Sequence, residues 1–94
     1  MGLNGPGGQQ ENLEKALAMN PLYYPARIDL ADYYKRKGPK EKAYETLKDG
    51  FKWRYAAVVP PEYYAQLARE AEAHGDDEIA REAKVLLAQF GIKM

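Results

Sequence analysis

The sequence predicts an all-α fold, an antiparallel array of about five helices arranged as helix-turn-helix repeats. Leu30 begins a Leu-Ala pair that recurs at Leu67, and an alanine follows the two leucines by the same interval, at Ala43 and Ala80. A fixed spacing that recurs along a chain is typical of repeats that stack to share one core. The remaining apolar residues follow helical spacing, and no segment alternates as a strand would. A scaffold of this kind usually holds a partner and does not react with it.

Residues 1–10 are predicted to be flexible, because they hold four glycines and a proline but little apolar surface. The first helix is predicted from about Glu11 to Asn20. Pro21 ends it, since the residue before a proline is pushed out of the α region. The apolar residues of this helix fall at spacings of three and four, namely Leu13, Ala16 and Leu17.

The second predicted helix begins near Pro25, a first-turn position at which a missing N–H costs nothing. Gly38 suits the left-handed residue that closes a helix, and Pro39 restarts the chain in a third helix. That third helix is predicted over about residues 40–53. Within it, Gly50 is expected to allow the close approach of a neighbouring helix.

A loop is predicted over residues 54–60, followed by a fourth helix that Pro61 starts and Gly75 ends. Asp76 and the two acidic residues after it suit the N-terminus of a fifth helix, because that end carries partial positive charge. The apolar residues of the fifth helix predict one buried stripe that ends near Phe90.

Side chains that enzymes commonly use are scarce in this chain of 94 residues. It has neither serine nor cysteine, Thr46 is its one threonine and His74 is its one histidine. Nucleophilic catalysis normally needs an activated Ser, Cys or Thr beside a base, and a zinc site needs several Cys or His ligands. The sequence therefore predicts no enzyme, no metal site and no cofactor.

Charge is balanced overall but unevenly distributed. The formal net charge is zero, yet residues 24–55 carry nine basic and five acidic side chains, whereas residues 56–94 carry four and seven. This dipolar distribution suits head-to-tail stacking or a charged peptide better than nucleic acid, whose binding domains are usually net basic. We therefore expect a protein or peptide partner and no nucleic acid.

The characteristic positions of the chain resemble those of the tetratricopeptide repeat (TPR) family. In the first repeat the matching residues are Leu30, Ala31, Tyr34, Gly38, Ala43 and Leu47. In the second they are Tyr64, Leu67, Ala68, Ala71, Gly75 and Ala80. Residues 13–21 are similar to the closing half of a family repeat. The resemblance implies a right-handed superhelical array over residues 11–94, with a half-repeat at 11–23 and full repeats at 24–57 and 58–94.

Some positions depart from the family pattern. Arg27 stands where a large aromatic residue is usual, Tyr55 where a proline usually ends the repeat, and Lys84 where an aromatic residue or leucine is expected. The second repeat follows the first by 37 residues, against about 34 in the family, which predicts a longer loop at 54–60. Parts of residues 24–55 also resemble TPR tails of bacterial surface-polysaccharide polymerases and ligases, which implies a bacterial protein.

The TPR resemblance implies a binding site on the concave face made by the first helix of each repeat. The residues carried over to that face are Ile28, Asp29, Asp32, Lys35, Arg36, Gln66, Arg69 and Glu72. In the chaperone-binding subgroup, Lys and Asn in this region grip a peptide carboxylate. Ile28 and Asp32 occupy the matching positions here, so we do not expect this chain to bind a peptide carboxylate in that way. We expect instead a mixed-charge, partly extended ligand.

Aromatic residues supply further candidates for partner contact. Tyr33 and Tyr63 are expected to be the exposed pair among the tyrosines, whereas Tyr34, Tyr44 and Tyr64 are expected to pack between helices. Trp53, which lies between two basic residues, indicates either a cation–π recognition patch or an anchor beneath the long loop.

Two functional hypotheses follow from the sequence. The first is a peptide-binding or protein-binding adaptor that uses the concave groove. The second is an assembly module, either homo-oligomeric or a fragment of a larger TPR-containing protein, since two and a half repeats fall below the usual minimum of about three. No apolar run approaches the roughly 20 residues of a membrane span, so direct membrane contact is not expected. The pattern does not distinguish a cytoplasmic from a periplasmic location, nor does it identify the partner.

Overall fold

The computed structural model describes residues 6–91, which are helical throughout apart from their connections. The α-helices are α1 (Pro6–Met19), α2 (Tyr24–Lys37), α3 (Glu41–Asp49), α4 (Pro61–Ala73) and α5 (Asp77–Ala88), and a short 3-10 helix covers Phe51–Trp53. No strand occurs within this range. The predicted all-α class and the five helices are confirmed.

Each helix packs against the next one along the chain, and α2 also contacts α4. Within residues 6–91, α1 contacts only α2 and comes no closer than 8 Å between Cα atoms to α3. The hydroxyl of Tyr34 on α2 donates a hydrogen bond of 2.6 Å to Glu14 on α1. The first helix is therefore attached at one side of the array, and a gap separates it from α3.

The first helix begins earlier than the sequence suggested. Residues 1–5 of the segment predicted to be flexible lie outside the described residues, but residues 6–10 form the start of α1. Pro6 is compatible with a first helical position, and Gln10 donates a side-chain hydrogen bond to Glu14 one turn later, at 3.1 Å. The glycines at this end lower helix propensity but do not forbid the helix.

Glycine and proline mark the other helix boundaries as predicted. Gly38 has a φ of 79° and donates its N–H to Tyr34 at the end of α2, and Gly75 has the same φ between α4 and α5. Such a φ favours glycine, because a side chain there is strained. The predicted third helix over 40–53 is divided at Gly50, where α3 gives way to the 3-10 helix.

The core lies where α2, α3, α4 and α5 meet. Its fully buried large side chains include Tyr24, Leu47, Tyr63, Leu67 and Leu87. The tyrosines predicted to pack between helices, Tyr34, Tyr44 and Tyr64, are buried. No helix in the described part of the chain combines the length and apolarity that spanning a membrane requires.

The predicted exposure of Tyr33 and Tyr63 is wrong. Tyr63 is 0% exposed and Tyr33 6% exposed. The Tyr63 ring meets Tyr24 edge-on, with 4.9 Å between centroids, and Tyr33 lies edge-on to Tyr34 at 6.0 Å. Both helices have neighbours on more than one side, so adjacent tyrosines are buried in different directions.

Candidate binding surfaces

The C-terminal end of α3 is capped by side chains from two other helices. Three buried side chains donate hydrogen bonds to its carbonyl groups: Tyr24 to Gly50 at 2.7 Å, Arg27 to Thr46 at 2.8 Å and Tyr63 to Leu47. The last carbonyls of a helix have no partner within the helix, and burying them unpaired is costly. These contacts fix α3 against α2 and α4 and so position the surfaces on either side.

Arg27 is a buried cation, 4% exposed, that forms no ion pair within residues 6–91. Its guanidinium donates to the carbonyls of Thr46 and of Pro21, the latter at 2.9 Å. Partial negative charge at the C-terminus of α3 favours a cation there. Arg27 therefore forms a polar clamp between the α1–α2 connection and α3.

We call the side of α2 and α4 on which the sequence predicts the groove the α2–α4 face. Its predicted residues are Ile28, Asp29, Asp32, Lys35, Arg36, Gln66, Arg69 and Glu72, and a single groove formed by all eight stays a prediction. Lys35 on α2 forms an ion pair of 2.7 Å with Glu70 on α4, so the structure brings the two helices together there. Asp32 pairs at 3.1 Å with Arg36 one turn away on the same helix. Glu72 is tied instead to Lys84 of α5. Asp29 and Arg69 are exposed and form no ion pair within the described residues.

One end of the α2–α4 face contains a cavity of about 280 Å³, lined by Pro25, Ile28, Asp29, Pro60 and Glu62. We call it the end cavity. Its apolar lining comes from Ile28 and the two prolines, while Asp29 and Glu62 are exposed carboxylates at its edge. Sequence reasoning missed Pro60 and Glu62. The signal for Glu62 was its position one helical turn before Gln66, on the same side of α4.

A cavity of about 400 Å³ lies on another side of α2, between α1 and α3. We call it the α1–α3 groove. Its lining includes Glu14 and Leu17 of α1, Arg27, Leu30 and Tyr34 of α2, Lys42, Glu45 and Asp49 of α3, and Trp53. None of the eight predicted groove residues lines it. Lys52 lines this groove as well, so three basic and three acidic side chains face it and the lining favours no single charge of ligand.

Trp53 is half-buried and lines the α1–α3 groove. The amino group of Lys52 lies 4.5 Å from the ring centroid, and the Arg27 guanidinium lies 5.7 Å from it. Arg54, the other basic neighbour of Trp53 in sequence, stacks instead on Phe51 at 3.9 Å and pairs with Glu82 at 3.0 Å. A cation–π cluster therefore exists at Trp53, but with Arg27 in place of Arg54.

Apolar side chains are concentrated at the loop–α5 edge, where residues 54–59 meet the end of α5. A cavity of about 280 Å³ there is lined by Arg54, Tyr55, Ala57, Val58, Val59, Tyr64, Leu86, Gln89 and Phe90. Val58 is 96% exposed, Tyr55 77% and Phe90 50%. The sequence indicated a long loop here but did not mark it as a surface. Its apolar side chains are unusual, because loops are generally polar.

Two hydrogen bonds between a tyrosine and a carboxylate join neighbouring elements of the fold and shift the pKa values of both partners. Tyr44 donates to Asp76 at 2.7 Å and Tyr34 donates to Glu14. Burial, reinforced by the bond to Glu14, raises the pKa of Tyr34 to about 12. Burial and the bond to Asp76 likewise raise the pKa of Tyr44. The same two hydrogen bonds lower the pKa values of Glu14 and Asp76.

These shifts predict stability that declines at both ends of the pH scale. The tyrosines hold their protons more tightly in the folded chain, so the free energy of unfolding is unaffected up to about pH 10 and falls above it. The carboxyl groups of Glu14 and Asp76 release their protons more readily in the folded chain. The free energy of unfolding therefore also falls as the pH drops below about 4. Urea denaturation monitored by circular dichroism from neutral to alkaline pH measures the first effect.

The matched control for the alkaline effect is the double variant Tyr34→Phe with Tyr44→Phe. Each phenylalanine keeps the ring and removes the titrating hydroxyl, so we expect a shallower alkaline slope than in the wild type. An equally steep slope in the double variant would show that these two hydroxyls do not carry the pH dependence.

Comparisons with protein-family models, with curated proteins and with solved structures found no match to this chain. The TPR resemblance and the superhelical arrangement therefore stay predictions. Any function must be inferred from the chemistry of the described surfaces.

Proposed function

We propose that this chain is a non-catalytic interaction scaffold whose α2–α4 face binds an extended segment of a partner protein. The observation that carries the proposal is the end cavity, which combines an apolar lining with two exposed carboxylates, Asp29 and Glu62. Neither carboxylate forms an ion pair or a side-chain hydrogen bond within residues 6–91. Both are therefore available to a ligand without breaking an existing contact.

The lining of the end cavity defines the ligand chemistry at that end of the α2–α4 face. Ile28 and the flanking prolines suit an apolar side chain, and the carboxylates of Asp29 and Glu62 suit a Lys or Arg beside it. At the other end of the face, exposed Arg69 suits an acidic side chain. A segment with a basic and an apolar residue at one end and an acidic residue at the other would match the face.

The helix geometry sets the length of this segment. Arg69, which suits the acidic residue, follows Glu62 by seven residues on α4, and at the rise of an α-helix this separation is about 10 Å. An extended chain covers that distance with about three residues. The proposed contact is therefore a short linear motif, and its affinity is expected to lie in the micromolar range typical of small, partly exposed contacts.

A display library of random peptides selected on the purified chain supplies the probe. We expect selected peptides to share an apolar residue next to Lys or Arg. The double variant Asp29→Lys with Glu62→Lys should then weaken binding by about tenfold or more, because the new charges repel the basic residue. Fluorescence anisotropy of a labelled selected peptide measures the dissociation constants.

Glu45→Lys is the matched control, since it reverses an exposed carboxylate on α3 that lines the α1–α3 groove. It should leave the affinity unchanged. If Glu45→Lys weakened binding while the Asp29/Glu62 variant did not, the ligand would lie in the α1–α3 groove and the α2–α4 assignment would be wrong. Backbone amide NMR shifts on peptide addition, expected at Ile28 and Arg69, test the location independently.

A further inference from the structure

We infer that the loop–α5 edge is a self-complementary surface through which two copies of this chain associate. The edge carries a protruding apolar side chain beside an apolar cavity. Val58 is 96% exposed, and the cavity next to it holds about 280 Å³ between the loop and α5. A valine side chain that stays in water forgoes the favourable free energy that its burial would contribute. A surface that keeps such a side chain outward favours burying it against a partner.

The same edge provides the site that Val58 would fill. Buried Val59 and Tyr64 line the cavity floor, and half-exposed Phe90 lies at its rim. A two-fold axis at this edge would insert Val58 of each copy into the cavity of the other, which is the relation that an isologous dimer requires. Tyr55, 77% exposed on the same loop, would add aromatic contact area.

Charge permits this pairing. The chain has zero formal net charge, so two copies do not repel each other as a whole. Residues 24–55 are net basic and residues 56–94 net acidic. The edge lies at the boundary between the two parts, so a two-fold arrangement can place the basic part of one copy opposite the acidic part of the other. The opposite net charges of the two parts favour a second copy as the partner of the edge.

The inference is independent of the proposed peptide site, because the edge and the α2–α4 face share no residue. Sedimentation equilibrium of the full chain from low to high micromolar concentration tests it. The expected result is a reversible change from a mass of 10.7 kDa to twice that value. A monomer over the whole range would overturn the inference, as would a monomer that binds phospholipid vesicles through Val58.

Val58→Asp should raise the dimer dissociation constant by about tenfold or more, because a carboxylate would enter an apolar cavity. Val85→Asp is the matched control. Val85 is a 56% exposed valine on α5 outside the cavity, and its replacement should leave the dimer unchanged. Equal weakening by both variants would overturn the assignment of the edge.

A second measurement does not depend on substitution. In a mixture of differently isotope-labelled copies, filtered NOEs should connect the Val58 methyl groups of one copy to the Phe90 ring of the other. A dimer by mass that lacks these NOEs would use a different surface and would overturn the inference. Peptide affinity measured on Val58→Asp should be unchanged, which separates failure of this inference from failure of the proposed function.

Discussion

Tyr63→Ala is expected to lower the free energy of unfolding by about 4 kcal/mol, within the range for truncating a buried aromatic residue. Tyr63 is fully buried, its ring meets Tyr24 at 4.9 Å, and its hydroxyl donates to the carbonyl of Leu47. The substitution removes the ring and leaves that carbonyl without its side-chain donor. Domains of this size have total stabilities of about 5–10 kcal/mol, so the substitution should remove a large part of the stability of the fold.

Tyr63→Phe separates the two contributions. It keeps the ring and removes only the hydroxyl, so we expect a loss of about 1–2 kcal/mol. Urea denaturation monitored by circular dichroism gives both values. A small effect of Tyr63→Ala would agree with the exposed position that the sequence suggested, and it would contradict the buried position of this ring between α2, α3 and α4.

The burial of Tyr33 and Tyr63 shows why a sequence pattern predicts helices better than it predicts their faces. Each of these tyrosines stands next to another one, and a helix with a single buried stripe would bury one member of each pair. In this fold α2 contacts α1, α3 and α4, so its buried surface extends around most of the helix. The number of helices that pack around α2 depends on the assembled fold. The spacing of apolar residues within α2 does not predict it.

Helix boundaries, in contrast, were accessible from sequence because their signals are local. Gly38 and Gly75 have the positive φ that favours glycine at a helix end, and Pro61 begins α4 as predicted. The missed boundary is at the start of α1, where glycine-rich composition suggested a flexible segment. Composition there was outweighed by the packing of α1 on α2 and by the Gln10–Glu14 hydrogen bond.

The surfaces were harder to predict than the helices. The ion pair between Lys35 and Glu70 supports the expectation that α2 and α4 share one face. The α1–α3 groove depends on the separation of two helices whose Cα atoms stay more than 8 Å apart, and no sequence motif predicts that separation. The end cavity needs Pro60 from the loop before α4 and Glu62 from the first turn of α4, and both positions depend on where that loop places the start of the helix. Sequence thus identified the helices of the face but not the cavity at its end.

Arg27 illustrates a departure from pattern whose meaning required the structure. In the sequence, Arg27 stands where the resemblance to the TPR family leads one to expect an aromatic residue, and nothing nearby in the sequence explains the arginine. Its partners, the carbonyls of Pro21 and Thr46, are brought to it by the packing of three successive segments. Because these hydrogen bonds hold the Arg27 side chain in place, it should limit the size of the residues packed against it. Gly50 is the residue in closest contact.

Gly50→Ala is accordingly expected to lower the free energy of unfolding by about 2 kcal/mol, as overpacking in a core does. A Cβ atom at position 50 would lie 2.5 Å from the Cδ and Nε atoms of Arg27. Arg27 cannot withdraw without losing its hydrogen bonds to Pro21 and Thr46. The backbone itself accepts alanine, since φ at Gly50 is −83°. Helix propensity alone would make alanine stabilising by about 1 kcal/mol, so the sign of the effect decides between the two causes.

A double-mutant cycle with Arg27→Met assigns the penalty to this contact. The methionine side chain is flexible and uncharged, so the new methyl group at position 50 should then be accommodated, and Gly50→Ala should become neutral or stabilising. The expected coupling energy is about 2 kcal/mol, measured by urea denaturation of all four proteins with the same stabilising osmolyte present. Asp49→Ala, an exposed neighbouring position, should change stability by less than about 0.5 kcal/mol. If the penalty of Gly50→Ala persisted in the Arg27→Met background, the close approach of Arg27 would not be what requires glycine at this position.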